Sequence, residues 1–156
     1  MGSVILKEHW EEGIPDLRGY VVRDLPLYDD DGERKLQLLT NELEGADYIM
    51  FYSNRLYGTI PRLPERYPLS IAYYQRFFRG ELGYTLERRF TSYPNLPGIA
   101  LKDDIFSRPG LPDPGSKVQD DPTLVTVNLG FADESFTVYD HPQVLVFKNT
   151  GRYDQK

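Results

Sequence analysis

The apolar run Tyr48–Tyr52 constrains the fold more than any other stretch of the chain. It lies inside a predicted strand, Asp47–Ser53, and a run of this length without polar interruption is typical of a strand covered on both faces. A helix is predicted directly before it, over Glu33–Glu44, with Gly45 as its C-terminal stop. A helix joined to a buried strand almost without a loop indicates an α/β fold.

The remaining periodic segments complete this fold class. Further strands are predicted at Val4–His9, Tyr20–Leu25, Tyr84–Thr91, Phe136–Tyr139 and Val144–Lys148, and a second helix is predicted at Pro68–Arg79. The strand–helix–strand unit Tyr20–Ser53 requires a parallel pair, whereas the last two strands flank a turn. We therefore predict a single α/β domain over residues 1–156 with a mixed sheet, two main helices and a C-terminal antiparallel hairpin.

Prolines divide the chain unevenly. Six of the twelve prolines lie between Pro94 and Pro122, together with Gly98, Gly110 and Gly115. A segment this rich in Pro and Gly rarely forms long helices or strands. We expect residues 94–130 to form an excursion with little regular structure.

Apolar spacing also predicts which residues form the core. Leu36, Leu39 and Leu43 form one helical stripe, and Tyr84, Leu86 and Phe90 alternate along a strand with one solvated face. The residues that we expect to be buried are Leu39, Ile49, Phe51, Ile71, Phe78, Val138, Leu145 and Phe147.

The acidic run Asp29–Gly32 has two interpretations. It resembles the beginning of a calcium loop, but the alternating ligands and the bidentate Glu of such a loop do not follow. Helix capping explains the run better, because Asp30 and Glu33 have the spacing of a capping box. We predict no metal site.

Composition excludes several classes of function. The net charge of −6, from 18 basic and 24 acidic residues, argues against a nucleic-acid partner. The absence of cysteine excludes thiolate zinc sites and Cys nucleophiles. No P-loop or G-x-G-x-x-G pattern occurs, so no cofactor is expected.

Basic charge is concentrated between Asn54 and Phe90. This segment contains seven arginines and three glutamates, which gives it a net charge of +4. The first part of this segment joins the buried strand to the second helix, a position that often carries recognition. The candidate binding residues are Asn54, Arg55, Tyr57, Arg62 and Arg66, with Arg side chains suited to anions. The alternative is internal pairing, for example of Arg62 with Asp140.

Secondary candidates follow the first strand and occupy the turn of the predicted hairpin. They are His9, Trp10 and Glu11, and Asp140 and His141. A general acid/base pair within Glu8–Glu12 would make the chain a small hydrolase, but no spacing in the sequence supports catalysis. We assign no catalytic residue.

Several runs of the sequence carry a resemblance to a known family. They are ADYIMFYSNRLYGTIPRLPERYPLSIAYYQRFFRGELGY, FTSYPNLPG, ADESFTVYDHPQVLVFKN, VILKEHWEEGIPD and LPLYDDDGERKLQLL. They resemble the soluble C-terminal region of family 39-type, mannosyltransferase-like polytopic membrane glycosyltransferases, including a set with a YYY signature. The resemblance covers most of the chain, and residues 99–130 match least.

The resemblance implies a parent enzyme that takes sugar from a polyprenyl-phosphate donor on the outer side of the membrane. Its catalytic carboxylate lies in a loop between membrane helices, so no residue here inherits that role. The chain is then expected at the extracytoplasmic face of the plasma membrane, as a non-catalytic accessory domain. The implied partners are the transmembrane part and a lipid-phosphate sugar or glycan acceptor. The alternative is a free-standing carbohydrate-binding module in which exposed aromatic rings stack on sugars.

Overall fold

The structure, a computed structural model, describes residues 4–7, 19–91, 95–96, 99–102, 104–115, 125–128, 130 and 143–151. The strands are β1 (Val4–Lys7), β2 (Val21–Asp24), β3 (Tyr48–Phe51), β4 (Tyr84–Phe90), β5 (Asn95–Leu96), β6 (Ile99–Lys102), β7 (Val125–Asn128) and β8 (Val144–Asn149). The helices are α1 (Glu33–Gly45), α2 (Arg55–Thr59) and α3 (Pro68–Phe78), and a 3-10 turn over Ile60–Arg62 continues α2.

A mixed five-stranded sheet, in the order β2-β1-β3-β8-β4, organises the fold. β1 pairs in parallel with both β2 and β3, whereas β8 is antiparallel to β3 and β4. Four strands therefore point the same way and β8 alone runs against them. The α/β class and the mixed sheet are confirmed.

Both long predicted helices and the five predicted strands within the described residues are present, with ends shifted by a few residues. The parallel relation expected between the strands flanking α1 also holds, although β1 lies between them. Phe136–Tyr139, the first strand of the predicted hairpin, lies outside the described residues. Its expected partner is present as β8.

Aromatic rings fill the space between the sheet and the helices. Phe51, on the inward row of β3, has its ring centroid 5.3 Å from that of Phe77 and 5.5 Å from that of Phe147. Tyr57 of α2 and Tyr74 of α3 extend the cluster. Of the predicted core, Leu39, Ile49, Phe51, Phe78, Leu145 and Phe147 are buried, Ile71 is half-buried, and Val138 lies outside the described residues.

The buried side of α1 differs from the predicted stripe. Leu39 and Leu43 are buried, but Leu36 is 47% exposed, and Lys35 takes the inward position one turn before Leu39. A charged residue can take this place because its ammonium group finds hydrogen-bond acceptors there.

Lys35 forms the centre of a buried polar network. Its Nζ lies 2.7–2.9 Å from four acceptors, which its three N–H groups share: the carbonyl oxygens of Leu27 and Asp29, Oδ1 of Asp31 and Oγ of Ser70. These acceptors come from the segment before α1 and from α3. The network therefore ties the two long helices together through that segment.

The predicted capping box at α1 is wrong. Gly32 is the N-cap residue and no side chain caps the helix. The carboxylate of Asp31 instead accepts a hydrogen bond from the backbone N–H of Leu69, in the first turn of α3. That turn begins with Pro68 after Tyr67, whose side chain caps nothing, so an acid from elsewhere supplies the acceptor.

A β-bulge changes the inward row of β4. The register with β8 shifts between Leu86 and Arg88, so that Arg89 lies opposite the buried Leu145. The extra residue reverses the alternation beyond it. Phe90, which the alternation predicts to be inward, is therefore 56% exposed, and Arg89 faces the interior.

The excursion over residues 94–130 contains more regular structure than the sequence indicates. β5, β6 and β7 form a second, three-stranded sheet, with β5–β6 antiparallel and β6–β7 parallel. Each strand has four residues or fewer. Segments this short leave little periodic signal to read.

Phe51→Ala is expected to lower the free energy of unfolding by about 3–5 kcal/mol, because it leaves a cavity among several rings. Urea denaturation monitored by circular dichroism measures the loss. Phe90→Ala is the matched control, and its unfolding free energy is expected to change by no more than about 0.5 kcal/mol. Equal effects of the two substitutions would contradict the core described here.

Lys35→Met is expected to lower the unfolding free energy by about 3–5 kcal/mol, because it leaves the buried carboxylate and carbonyl oxygens of the network without their donor. Arg34→Met removes the same charge from the exposed side of α1 and serves as the control. The same denaturation experiment compares the two. A Lys35→Met protein as stable as the Arg34→Met protein would refute a stabilising role for the network.

Candidate functional site

The carboxyl ends of β1, β2, β3 and β4 meet at one edge of the main sheet, which we call the carboxyl edge. The chain places β2 on one side of β1 and β3 on the other, so the strand order reverses between β1 and β3. In α/β sheets, ligands bind outside the carboxyl ends at such a reversal. Topology therefore makes this edge the first place to look for a site.

Buried polar side chains are concentrated at the carboxyl edge. Ser53 and Asn54 follow β3, and Gln143 precedes β8, and all three are buried. Phe51 pairs with Leu145, so the same antiparallel register extended by two residues brings Ser53 opposite Gln143. Asn54 is the N-cap residue of α2, although its side chain makes no capping hydrogen bond.

Tyr52 and Asp24 mark the β2 side of the same edge. Burial, and secondarily the negative charge of Asp24, raise the pKa of the Tyr52 hydroxyl above its usual value. The hydroxyl lies 3.8 Å from Sδ of Met50. Tyr52 is therefore a neutral hydrogen-bonding group at physiological pH and not a phenolate base.

Arg89 lies at the β4 side, beneath the segment 104–115. Its guanidinium pairs with the carboxylate of Asp113 and lies over the ring of Phe106, 5.9 Å from the centroid. A Cβ on Gly115 would come within 2.1–2.6 Å of guanidinium atoms, so this position requires glycine unless Arg89 moves. Phe106 in turn stacks on Tyr57 of α2. Arg89 thus fastens the segment onto the core.

No family model, curated protein or solved structure matches the chain. Among the described residues, no group of three or more His, Asp or Glu could hold a metal ion. Over the same residues, no helix has the length and apolarity needed to cross a membrane.

Three of the predicted binding residues, Arg55, Arg62 and Arg66, are exposed, and we call them the basic face. Arg55 begins α2 and Arg62 ends the 3-10 turn that continues it. Seven residues correspond to about two turns, so these two side chains leave the same side of the helical segment. Within the described part of the chain, neither has an ion-pair partner.

Arg66, the third member, is only loosely held. Its guanidinium lies 3.6 Å from Oδ1 of Asp30, and the two side chains are 63% and 87% exposed. It also lies 5.1 Å from the ring centroid of Tyr67. An exposed pair of this kind is weak and exchanges readily with other anions.

The other candidate residues lie either in the core or outside the described residues. Asn54 and Tyr57 are buried, so they support the base of α2 and do not belong to the exposed surface. His9, Trp10, Glu11, Asp140 and His141 lie outside the described residues. The proposed pair between Arg62 and Asp140 therefore stays a prediction.

Sequence reasoning missed Ser53, Gln143 and Arg89. Gln143 falls in a predicted turn, and Arg89 has an outward position under strict alternation, which the bulge reverses. The signal available for Ser53 was its place directly after the central strand. No pattern in the sequence predicts the β-bulge in β4.

The opposite edge of the sheet holds a cavity of about 400 Å³ lined by Glu44, Gly45, Ala46, Asp47, Asn149 and Thr150. Beside it, the Tyr84 hydroxyl donates to the carbonyl oxygen of Leu43, and Nδ2 of Asn149 donates to that of Ala46. Burial raises the pKa of Tyr84 well above its usual range. These side chains satisfy the last carbonyl groups of α1, which is a structural task.

Asp113→Ala is expected to lower the unfolding free energy by about 2–3 kcal/mol, because it leaves the largely buried guanidinium of Arg89 without its carboxylate partner. Urea denaturation provides the measurement. Asp30→Ala removes the partner of Arg66 and is the matched control. It should leave the stability nearly unchanged, because that pair is exposed. If both substitutions lower the unfolding free energy equally, Arg89 does not hold the segment 104–115 on the core.

Proposed function

We propose that the chain is a non-catalytic accessory domain of a membrane-embedded glycosyltransferase that uses a polyprenyl-phosphate sugar donor. In this proposal it contacts the anionic membrane surface on the extracytoplasmic side through the basic face. The observation that carries the contact is the exposed placement of Arg55, Arg62 and Arg66. The enzyme class rests on the sequence resemblance alone.

Charge distribution supports the contact with an anionic surface. The chain has a net charge of −6, so a membrane contact requires a local concentration of cations, and residues 54–90 supply one. Each basic residue near an anionic leaflet contributes about 1 kcal/mol. Three together account for about two orders of magnitude in affinity.

A non-catalytic role is consistent with the buried position of a nucleophile–base contact in the core. Oγ of Ser70 lies 2.7 Å from Nζ of Lys35, which is the separation of a Ser–Lys catalytic pair. Ser70 has no solvent exposure, however, and its hydroxyl also contacts the carbonyl oxygen of Leu27 at 3.1 Å. Substrate has no access to this oxygen, so the pair stabilises the fold.

The carbohydrate-binding alternative depends on exposed aromatic rings. Tyr57, Tyr67, Tyr73, Tyr74 and Tyr84 are all buried in the core. Tyr20 and Tyr28 are the exposed tyrosines among the described residues, with Phe90 as an exposed ring on β4. Stacking on a sugar face from this surface has less support than the basic face.

Vesicle flotation tests the membrane contact. The purified chain is mixed with phosphatidylcholine vesicles, with vesicles containing phosphatidylglycerol, and with phosphatidylcholine vesicles containing polyprenyl phosphate. Binding to the anionic vesicles is expected at low salt and should weaken as salt is raised. The two anionic preparations separate general headgroup attraction from recognition of the lipid phosphate. Equal absence of binding to all three would refute the contact.

A charge-matched pair of variants locates the surface. Arg55→Ala, Arg62→Ala and Arg66→Ala together are expected to reduce vesicle affinity by about two orders of magnitude. The control combines Arg76→Ala, Arg79→Ala and Arg88→Ala, which removes the same charge from other exposed positions. If both triple variants lose the same affinity, net charge alone is responsible and the basic face is not a site.

The gene sequence tests the parent enzyme. We expect the same reading frame to encode membrane-spanning helices upstream of residue 1. A stop codon directly upstream of this chain would overturn the glycosyltransferase assignment while leaving the vesicle result to stand by itself.

A further inference from the structure

The turn over residues 63–66 presents apolar side chains in the middle of the basic face. Leu63 is 44% exposed, and Pro64 beside it is also exposed. Arg62 precedes this pair and Arg66 ends the turn. A single exposed leucine needs no explanation, but exposed apolar residues bordered by arginines are typical of a surface that enters a lipid headgroup layer.

The backbone of this turn already has its hydrogen bonds within the chain. The N–H of Leu63 donates to the carbonyl oxygen of Ile60 at 3.0 Å. The carbonyl oxygen of Leu63 accepts from the N–H groups of Arg66 and Tyr67, at 3.1 and 3.0 Å. Pro64 has no N–H group. Irregular backbone normally stays out of lipid because its polar groups lose their hydrogen bonds to water, and at Leu63 that loss does not arise.

The charges around the turn are complementary to an anionic bilayer. Glu65 is its one acidic residue, and the three arginines of the basic face outnumber it. Arg66 is held only by its exposed pair with Asp30, which a lipid phosphate can replace. Arginine suits this position, because its aliphatic stem covers apolar surface while its guanidinium binds phosphate.

Tyr28 adds an aromatic ring to the surface around Arg66. It is 47% exposed, and its ring centroid lies 6.3 Å from that of Tyr67. The Tyr67 hydroxyl donates to the carbonyl oxygen of Tyr28 at 3.4 Å. Tyrosine is enriched where hydrocarbon meets headgroups. This surface therefore combines the residue types that a bilayer boundary favours.

We propose that the turn over residues 63–66 inserts into the headgroup layer of an anionic bilayer, with Leu63 reaching the boundary of the hydrocarbon. The proposal rests on the membrane contact proposed above and specifies how that contact is made. The arginines bind phosphate groups, and Leu63 lies deeper than they do. Salt screens the first contribution but not the second, so the two can be measured separately.

Nitroxide labelling measures the depth of the turn. The chain contains no cysteine, so Leu63→Cys provides a single attachment point. The labelled chain is bound to phosphatidylcholine vesicles that contain phosphatidylglycerol. Collisions of the label with oxygen, which concentrates in hydrocarbon, are compared with collisions with a water-soluble nickel chelate. Vesicle binding is expected to raise the collision rate with oxygen and to lower the rate with nickel.

Val21→Cys is the matched control for the label. Val21 is 46% exposed, close to the exposure of Leu63. It begins β2, whereas α2 follows the carboxyl end of β3, and the two strands are both parallel to β1. The control position therefore lies at the opposite edge of the sheet from α2. Its label should keep the same rate of collision with nickel when the chain binds vesicles.

Vesicle flotation of unlabelled variants measures the apolar contribution. Leu63→Ser leaves the charge unchanged and is expected to weaken binding about fivefold at low and at raised salt, because roughly half of a leucine side chain loses its burial. Leu63→Met keeps an apolar side chain of similar volume and should bind as the unaltered chain does. Val21→Ser removes an equally exposed apolar residue and should also bind normally.

The outcomes distinguish this proposal from the membrane contact itself. If the chain binds the vesicles and the label at residue 63 stays as accessible to nickel as the label at residue 21, insertion is refuted and the membrane contact stands. Equal affinities of Leu63→Ser and the unaltered chain lead to the same conclusion. Absence of binding to the anionic vesicles overturns both proposals.

Discussion

The buried ammonium group of Lys35 is the interaction on which the arrangement of the helices depends. Its hydrogen bonds go to the segment before α1, to Asp31 and to Ser70 of α3. Asp31 simultaneously accepts from Leu69, at the beginning of α3. Because an ammonium group without these acceptors would be very costly to bury, the network specifies one relative position of the two helices. The network also fixes the beginning of α3, where the loop carrying the basic face ends.

The directions of the strands in the main sheet determine where polar side chains come together. With β8 as the single reversed strand, four carboxyl ends and the polar residues beside them come together at one edge. The opposite edge satisfies the end of α1 through Tyr84 and Asn149. Hydrogen-bonding side chains therefore satisfy the backbone at one edge, whereas at the other edge Oδ1 of Asn54 and Oε1 of Gln143 lack a hydrogen-bond partner among the residues that the structure describes.

Helices and strands with a regular spacing of apolar residues could be predicted from the sequence, whereas irregularities such as the bulge could not. The run Tyr48–Tyr52 and the spacing of Leu39 and Leu43 specified a helix followed by a central strand, and the structure has both. The exchange of Leu36 for Lys35 on the inward side of α1 depends on acceptors that only the folded chain supplies. The capping box failed for the same reason, because Asp31 caps a helix 38 residues away. For the candidate site, the exposure of the three arginines was predictable, whereas the buried positions of Gln143 and Arg89 depend on strand register.

The bulge in β4 also determines how the chain tolerates insertions and deletions. The register shift lies between Leu86 and Arg88, so deleting the single extra residue, Glu87, would restore regular pairing with β8 and keep Arg89 inward and Phe90 outward. The guanidinium of Arg89 would then keep its place against Asp113 and Phe106 of the segment 104–115. The bulge thus makes β4 one residue longer than its pairing with β8 requires, and the strand can lose one codon at this position without exchanging its inner and outer faces.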